Sequence, residues 1–160
     1  VSTAEPTCPC LAEGVARAAA SIDVAVHRNK TYACVDGPRL GTRAESFFLR
    51  DAAGCDLVGM TNVPEVFLAR EAQLCYTTLT IATDYDCWLD DPAQHVTVEQ
   101  VIARYGSSLA KARQVVAALL QQQEEASAGC GCRSALAAAV LTPIDRLSPD
   151  KQSLLELLQR

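Results

Sequence analysis

Two apolar runs that stop abruptly at small and polar residues constrain the fold of this chain most strongly. Residues 57–58 are followed by Gly59, and the longer run over residues 74–82 is followed by Thr83 and Asp84. A short apolar run bounded by breaking residues is typical of a strand buried on both faces. Helical spacing over residues 63–73 separates the two runs. The alternation predicts an open α/β sheet, in which ligands bind beyond the carboxyl ends of the strands.

The remaining elements are predicted from local signals. Apolar spacing indicates helices over residues 6–21, 43–53 and 98–125, and β-forming residues indicate a strand over 31–35. Thr42 and Thr97 are predicted N-caps, and Glu45 would complete a capping box with Thr42, so we interpret it as a cap rather than a ligand. Residues 133–141 could form a helix or a strand, and their Ala content favours a helix. Ser148 before Pro149 predicts the start of a last helix.

Composition excludes several classes of protein. With 160 residues, the chain is long enough for one domain with a sizeable core. The formal net charge of −5 disfavours nucleic acid and anionic membranes as partners. No apolar run is long enough to span a bilayer, and no basic-then-apolar leader is visible. We therefore predict a cytoplasmic location.

Asp84 and Asp86 flank Tyr85 at the end of the second apolar run. In an extended chain the side chains at i and i+2 point to the same face, so both carboxylates would face one ligand. A carboxyl group that donates a proton at neutral pH needs a raised pKa, which burial beside another carboxylate provides. The alternative interpretations are a Ca²⁺ or Mg²⁺ site and a helix-capping pair.

The eight cysteines allow three interpretations. The motifs Cys8-Pro-Cys10 and Cys130-Gly-Cys132 suggest zinc, but structural zinc usually takes ligands from pairs separated by two to four residues. On that spacing we predict no metal site. The other cysteines, at positions 34, 55, 75 and 87, fit small buried apolar residues. Structural disulfides are the third interpretation.

Three segments, in this order and spacing, resemble the trimeric nucleoside phosphorylases, and most closely the branch that acts on 5′-methylthioadenosine. They are Gly37-Pro38-Arg39-Leu40-Gly41-Thr42-Arg43-Ala44-Glu45-Ser46, Met60-Thr61-Asn62-Val63-Pro64-Glu65-Val66 and Thr83-Asp84-Tyr85-Asp86-Cys87-Trp88. The resemblance covers residues 3–120. It implies an α/β fold with a mixed central sheet flanked by helices, of which this chain is the C-terminal part.

The resemblance also implies an organisation and partners. Residues 1–125 would be the C-terminal part of the phosphorylase domain, and residues 126–160 a tail that carries the Cys-Gly-Cys motif and a last helix. The N-terminal part of the fold, which holds a phosphate loop in the family, would be supplied by a second chain or a cleaved segment. The family implies a homotrimer or a larger assembly.

The implied reaction is phosphorolysis of 5′-methylthioadenosine to adenine and 5-methylthioribose 1-phosphate, as a pentosyltransferase of methionine and purine salvage does. Inorganic phosphate is the co-substrate, and no metal or organic cofactor is needed. By resemblance, Asp84 protonates purine N7 and Asp86 binds the 6-amino group. Met60 would lie under the ribose and Thr61 would contact phosphate. A purine nucleoside phosphorylase of other specificity and a non-catalytic fragment are the alternatives.

Further positions in the matching segments predict which substrate is preferred. Leu40 and Gly41 match the loop beside the purine, and relatives that act on 6-oxopurines carry Glu in place of Gly41 and Asn in place of Asp84. The resemblance therefore favours a 6-aminopurine. A pocket for the 5′-methylthio group would be lined by Val98, Val101 and Ile102, whereas His95 could serve a 5′-hydroxyl.

Heat-adapted members of the family carry a similar Cys-x-Cys near the C-terminus together with internal disulfides. Cytosolic disulfides are unusual outside hyperthermophiles. By this resemblance we predict that Cys8 pairs with Cys75, and that Cys130 or Cys132 is also bridged.

Overall fold

The computed structural model describes residues 1–89, 97–122 and 129–159, without the side chains of Val98 and Val101. His95 and the predicted boundary between residues 125 and 126 lie outside this part of the chain. Two compact units are present. The sheet unit contains Val15–Asn62 and the described residues of Leu79–Gln123. The cysteine unit contains Val1–Gly14, Val63–Thr78 and the described residues of Glu124–Arg160.

Helices alternate with two short strands, which confirms the predicted α/β class. In chain order the elements are α1 (Pro9–Ser21), β1 (Tyr32–Cys34), α2 (Arg43–Phe47), β2 (Leu57–Gly59), α3 (Glu65–Glu71), α4 (Val98–Gln121) and α5 (Pro149–Leu158). A π-helical turn, Phe48–Ala52, continues α2. No helix among the described residues is both long and apolar enough to cross a membrane.

The sheet unit is built on parallel pairing of β1 with β2, in the register Tyr32↔Leu57, Ala33↔Val58 and Cys34↔Gly59. A last bond, from the N–H of Val35 to the carbonyl of Gly59 at 2.9 Å, closes the pair. The carboxyl ends of both strands therefore lie side by side, as the sequence predicts. The core of this unit consists of Ala18, Ala19 and Val115, packed against half-buried apolar side chains that include Leu79.

Capping boxes fix the starts of α2 and α4. The Thr42 hydroxyl accepts the N–H of Glu45, and the Glu45 carboxylate accepts the N–H of Thr42 at 2.8 Å. Thr97 and Gln100 repeat the arrangement. Both predicted caps are confirmed. Arg39 forms a two-pronged ion pair with Glu45, at 2.6 and 2.9 Å, and its hydrogen bonds lower the pKa of Glu45 to about 2. Glu45 is thus engaged as a cap.

Two element predictions are wrong. Residues 74–82 form no strand, and Leu74 is 59 % exposed rather than buried on both faces. An apolar run cannot indicate whether a neighbouring strand is present to pair with it. Residues 133–141 are not an α-helix: a 3₁₀ turn, Gly131–Ser134, is followed by turns. Intrinsic helix propensity is a weak signal that surrounding contacts override. Ser148 does precede α5, but its side chain makes no capping hydrogen bond.

The cysteine unit is held together by long-range polar contacts. Gln73 follows α3, and its side chain accepts the N–H of Leu136 at 3.0 Å and donates to the carbonyl of Leu158 at the end of α5. The segment that follows α3 is therefore tied to the C-terminal residues of the chain.

Four cysteines of this unit converge. The Sγ atoms of Cys8, Cys75, Cys130 and Cys132 all lie within 4.8 Å of one another, and we call them the four-thiol cluster. Every cysteine of the chain is described, and none of the eight forms a disulfide in the structure. The predicted Cys8–Cys75 disulfide and the predicted bridge at Cys130 or Cys132 are not formed in the structure, which instead gathers the four sulfur atoms at one point.

Candidate active site

The residues that follow β2 lie at the carboxyl end of the sheet. Met60 is half-buried, and its Sδ packs over Gly37, where an added Cβ would lie 3.0 Å away. Thr61 is the next residue and is exposed. Gly37 thus provides space for Met60, and the predicted sugar and phosphate contacts occupy the expected strand end.

Gly59, the last residue of β2, has no room for a side chain. A Cβ built on it would lie 1.9 Å from the hydroxyl oxygen of Tyr32 and 2.7 Å from its Cζ. The Tyr32 ring from β1 therefore covers the backbone that leads into Met60. The sequence predicts that another group comes close to the backbone at Gly59, and in the structure that group is the Tyr32 side chain.

Asp84 and Asp86 are not presented on an extended strand. Asp86 has a φ of 59°, in the left-handed region, so the i and i+2 geometry expected from the sequence is wrong. Instead, Oδ1 of Asp84 accepts the N–H of Asp86 at 2.8 Å, and Oδ2 accepts the hydroxyl of Thr83 at 2.8 Å. An Asp side chain that accepts a backbone N–H two residues ahead stabilises a turn. This turn holds the Asp84 carboxylate in a fixed orientation at an exposed position.

The Asp86 carboxylate is held by a buried partner from α2. Ser46 is 4 % exposed and donates its hydroxyl to Oδ2 of Asp86 at 2.7 Å. The other oxygen, Oδ1, accepts the N–H of Cys87 at 2.8 Å. Because Ser46 lies in a helix whose start is fixed by Thr42 and Glu45, the capping box also positions Asp86.

The loop before α2 lies against the same turn. Cys87 donates its thiol to the carbonyl of Gly41, with 3.8 Å between sulfur and oxygen. Leu40 beside it is 85 % exposed, and its carbonyl accepts a hydrogen bond from Arg39. Gly41, which directly follows Leu40, thus lies next to the acidic turn.

Aromatic side chains also make contacts in and beside the acidic turn. The guanidinium carbon of Arg50 lies 4.3 Å from the ring centroid of Trp88 and 5.2 Å from that of Phe47. Tyr85 meets Trp88 edge to face, with 6.2 Å between centroids. Cation–π contacts of this kind contribute about 0.5–1 kcal/mol at exposed sites.

Hydrogen bonds therefore join Asp84 to Asp86, and join Gly41 to Cys87, the residue that follows Asp86. Among the described residues, none of the hydrogen bonds given above involves Met60, Thr61 or Ile102. Val98 begins α4, and Ile102 is 65 % exposed on the same helix. The sequence did not indicate that Ser46 and Arg50 support the site. Ser46 and Asp86 are 40 positions apart, so no local pattern connects them.

Removal of the Ser46 hydroxyl is expected to destabilise the protein. Ser46→Ala leaves Oδ2 of Asp86 without its partner, and an unpaired partly buried acceptor costs about 1–3 kcal/mol. Urea unfolding would measure the loss, with Ser153→Ala on the exposed side of α5 as the matched control, expected within about 0.5 kcal/mol of wild type. Equal stability of the two variants would contradict a structural role for the Ser46–Asp86 bond.

The comparisons with known proteins agree with the fold. Residues 1–121 match the family model of the phosphorylase superfamily, and the chain therefore belongs to that family. It is 41% identical over 143 residues to the S-methyl-5′-thioadenosine phosphorylase of Hyperthermus butylicus, covering 88% of this chain and 51% of the relative. It is 38% identical over 136 residues to the enzyme of that name from Nitrosopumilus maritimus, covering 85% and 50%.

Solved structures give the same result. A methylthioadenosine phosphorylase from an antarctic soil metagenomic library matches with a TM-score of 0.84 at 36% identity, over 99% of this chain and 55% of that one. A double mutant of adenosine/methylthioadenosine phosphorylase from Schistosoma mansoni, in complex with adenine, matches with a TM-score of 0.73 at 31% identity, over 85% and 53%. The chain thus spans about half the length of the relatives it matches.

Proposed function

We propose that this chain forms part of an enzyme that cleaves 5′-methylthioadenosine with phosphate, giving adenine and 5-methylthioribose 1-phosphate. The observation that carries the proposal is the acidic turn, in which Asp84 and Asp86 are oriented by hydrogen bonds and lie beside Gly41. The names of the relatives support the same substrate.

The proposed chemistry needs a proton at the leaving base. Phosphate attacks C1′ while the bond from C1′ to N9 breaks, and the bonding electrons move into the purine ring. Asp84, in its protonated form, donates a proton to N7, which neutralises the departing base. Asp86 accepts a hydrogen bond from the 6-amino group. Both residues act on one edge of adenine, which is the edge that distinguishes it from a 6-oxopurine.

Each carboxylate has a separate support, so the two can play different roles. Asp86 is tied to the buried hydroxyl of Ser46, which suits a residue that reads the base without moving. Asp84 is exposed and is held through the turn alone. In the proposed enzyme, the bound purine excludes water from Asp84.

The remaining site residues complete the proposal. Met60, at the strand end and packed on Gly37, lies under the ribose, and the exposed hydroxyl of Thr61 binds phosphate. Val98, Val101 and Ile102 on α4 receive the 5′-methylthio group. Phosphate serves as co-substrate, and positioning together with protonation of the base drives the reaction without a cofactor.

A phosphate-dependent assay tests the proposal. The enzyme at its natural length should release adenine from 5′-methylthioadenosine only when phosphate is present. We expect inosine and 5′-methylthioinosine to react far more slowly, because their 6-oxo edge offers no amino donor to Asp86. Equal rates on inosine would disprove the assignment of a 6-aminopurine, and adenine release without phosphate would disprove phosphorolysis.

Adenosine is the second candidate substrate. The Schistosoma mansoni relative is named an adenosine/methylthioadenosine phosphorylase, and this name favours tolerance of a 5′-hydroxyl. The ratio of kcat/KM for the two nucleosides would measure the preference. We further propose that the chain acts in the cytoplasm with an N-terminal portion of the same enzyme, in a homotrimer or larger assembly, which native mass spectrometry would resolve.

A further inference from the structure

The four-thiol cluster gathers sulfur atoms from three separate segments of the cysteine unit. Cys8 precedes α1, Cys75 follows α3, and Cys130 and Cys132 flank Gly131 in the C-terminal part. Cys8 and Cys132 are buried, while Cys75 and Cys130 are half-buried. The phosphorolysis proposed above uses none of these residues.

The spacing of the sulfur atoms suits four ligands around one ion. In a tetrahedral site with Zn–S bonds of about 2.3 Å, the sulfur atoms lie about 3.8 Å from one another. Here all four lie within 4.8 Å, and the sulfur atoms of Cys75 and Cys130 are 3.3 Å apart. Small rotations about the side-chain bonds would bring the four atoms to tetrahedral distances.

Hydrogen-bond donors surround the cluster. The guanidinium of Arg70 donates to Sγ of Cys132 at 3.5 Å, and the N–H of Leu11 donates to Sγ of Cys8 at 3.4 Å. Four thiolates around Zn²⁺ carry a net charge of −2, so a cation and a backbone N–H at the sulfur atoms offset that charge. A disulfide is neutral and has no such need.

We infer that Cys8, Cys75, Cys130 and Cys132 bind one zinc ion through four thiolates, in a closed structural site. Binding releases the four thiol protons to solvent and involves no oxidation or reduction. The prediction of no metal rested on the spacing within the two Cys-x-Cys motifs, and it did not count Cys75 as a ligand that the fold brings to them. All four positions of the tetrahedron are taken by protein, so the ion joins three segments and has no place for substrate.

Metal analysis of the protein at its natural length, purified under reducing conditions, tests this site. Mass spectrometry of the metals should find about one zinc ion per chain, as a Cys₄ site requires. The double variant Cys8→Ser/Cys132→Ser should lose the zinc. Cys55→Ser is the matched control, because Cys55 belongs to the sheet unit and its thiol donates to the carbonyl of Ala53; this variant should keep the zinc.

A second measurement covers the case in which the double variant does not fold. Cobalt exchanged into the wild-type protein should give an intense thiolate-to-metal charge-transfer band, and metal-bound thiols should resist alkylation until the protein is denatured. The site is disproved if the reduced protein holds no zinc, if it holds iron instead, or if the double variant keeps its zinc. Recovery of the four cysteines as two disulfides would also disprove it. None of these outcomes bears on the assay for adenine release.

Discussion

Replacement of Asp84 by Asn is expected to lower kcat/KM for 5′-methylthioadenosine by about 10²–10⁴-fold, the range for loss of a general acid. The amide has nearly the same shape and can still accept the N–H of Asp86 through its oxygen, so the turn should persist. It has no acidic proton to give to N7. Steady-state kinetics at saturating phosphate would measure the loss.

Two comparisons sharpen this experiment. Asp145→Asn, at an exposed position in the turn before α5, should leave the rate unchanged. An asparagine amide can also donate a hydrogen bond, which suits the ring edge of a 6-oxopurine. The ratio of activity on inosine to activity on 5′-methylthioadenosine should therefore rise in Asp84→Asn. A variant with wild-type kcat/KM for 5′-methylthioadenosine would refute the role of Asp84 as an acid.

Gly59→Ala is expected to lower the free energy of unfolding by about 1–3 kcal/mol, the usual cost of an overpacked position. The added methyl would overlap the hydroxyl and Cζ of Tyr32, so either the ring or β2 must shift. Met60 directly follows, and we expect KM for the nucleoside to rise with the loss of stability. Urea unfolding and substrate kinetics would measure the two effects.

A double-mutant cycle isolates the contact. With Tyr32→Ala as background, the ring is gone, and Gly59→Ala should cost much less than in the wild-type protein. Gly106→Ala is the matched control on α4, where nothing lies within 4 Å of an added Cβ, and it should be neutral or stabilising. If Gly59→Ala costs the same with and without the Tyr32 ring, the overlap is not the cause.

Structural features that depend on contacts within a few residues could be predicted from the sequence. Thr42 with Glu45, and Thr97 at the start of α4, satisfy backbone groups within one helical turn, so type and spacing suffice to predict them. The strands β1 and β2 were predicted from their β-forming residues and the breaking residues that follow. These elements are enough to place Met60 and Thr61 at a strand end.

The parts that failed depend on partners far away in the chain. A strand over residues 74–82 requires a neighbour to complete its hydrogen bonds, which periodicity does not reveal. The left-handed Asp86 is stabilised by a Ser46 hydroxyl 40 positions earlier, and this contact has no local signature. The four-thiol cluster joins positions as far apart as 8 and 132, so neither its pairing nor its geometry follows from motif spacing.

Trp88 is the only tryptophan in the chain, and a cation rests on the face of its indole ring. The emission spectrum of such an indole responds to the charge and water around it. Since Trp88 lies two residues after Asp86, any nucleoside that displaces Arg50 or reorders the acidic turn would change the wavelength or intensity of the tryptophan fluorescence. The chain thus carries a built-in optical reporter at the proposed purine site, one that requires no dye.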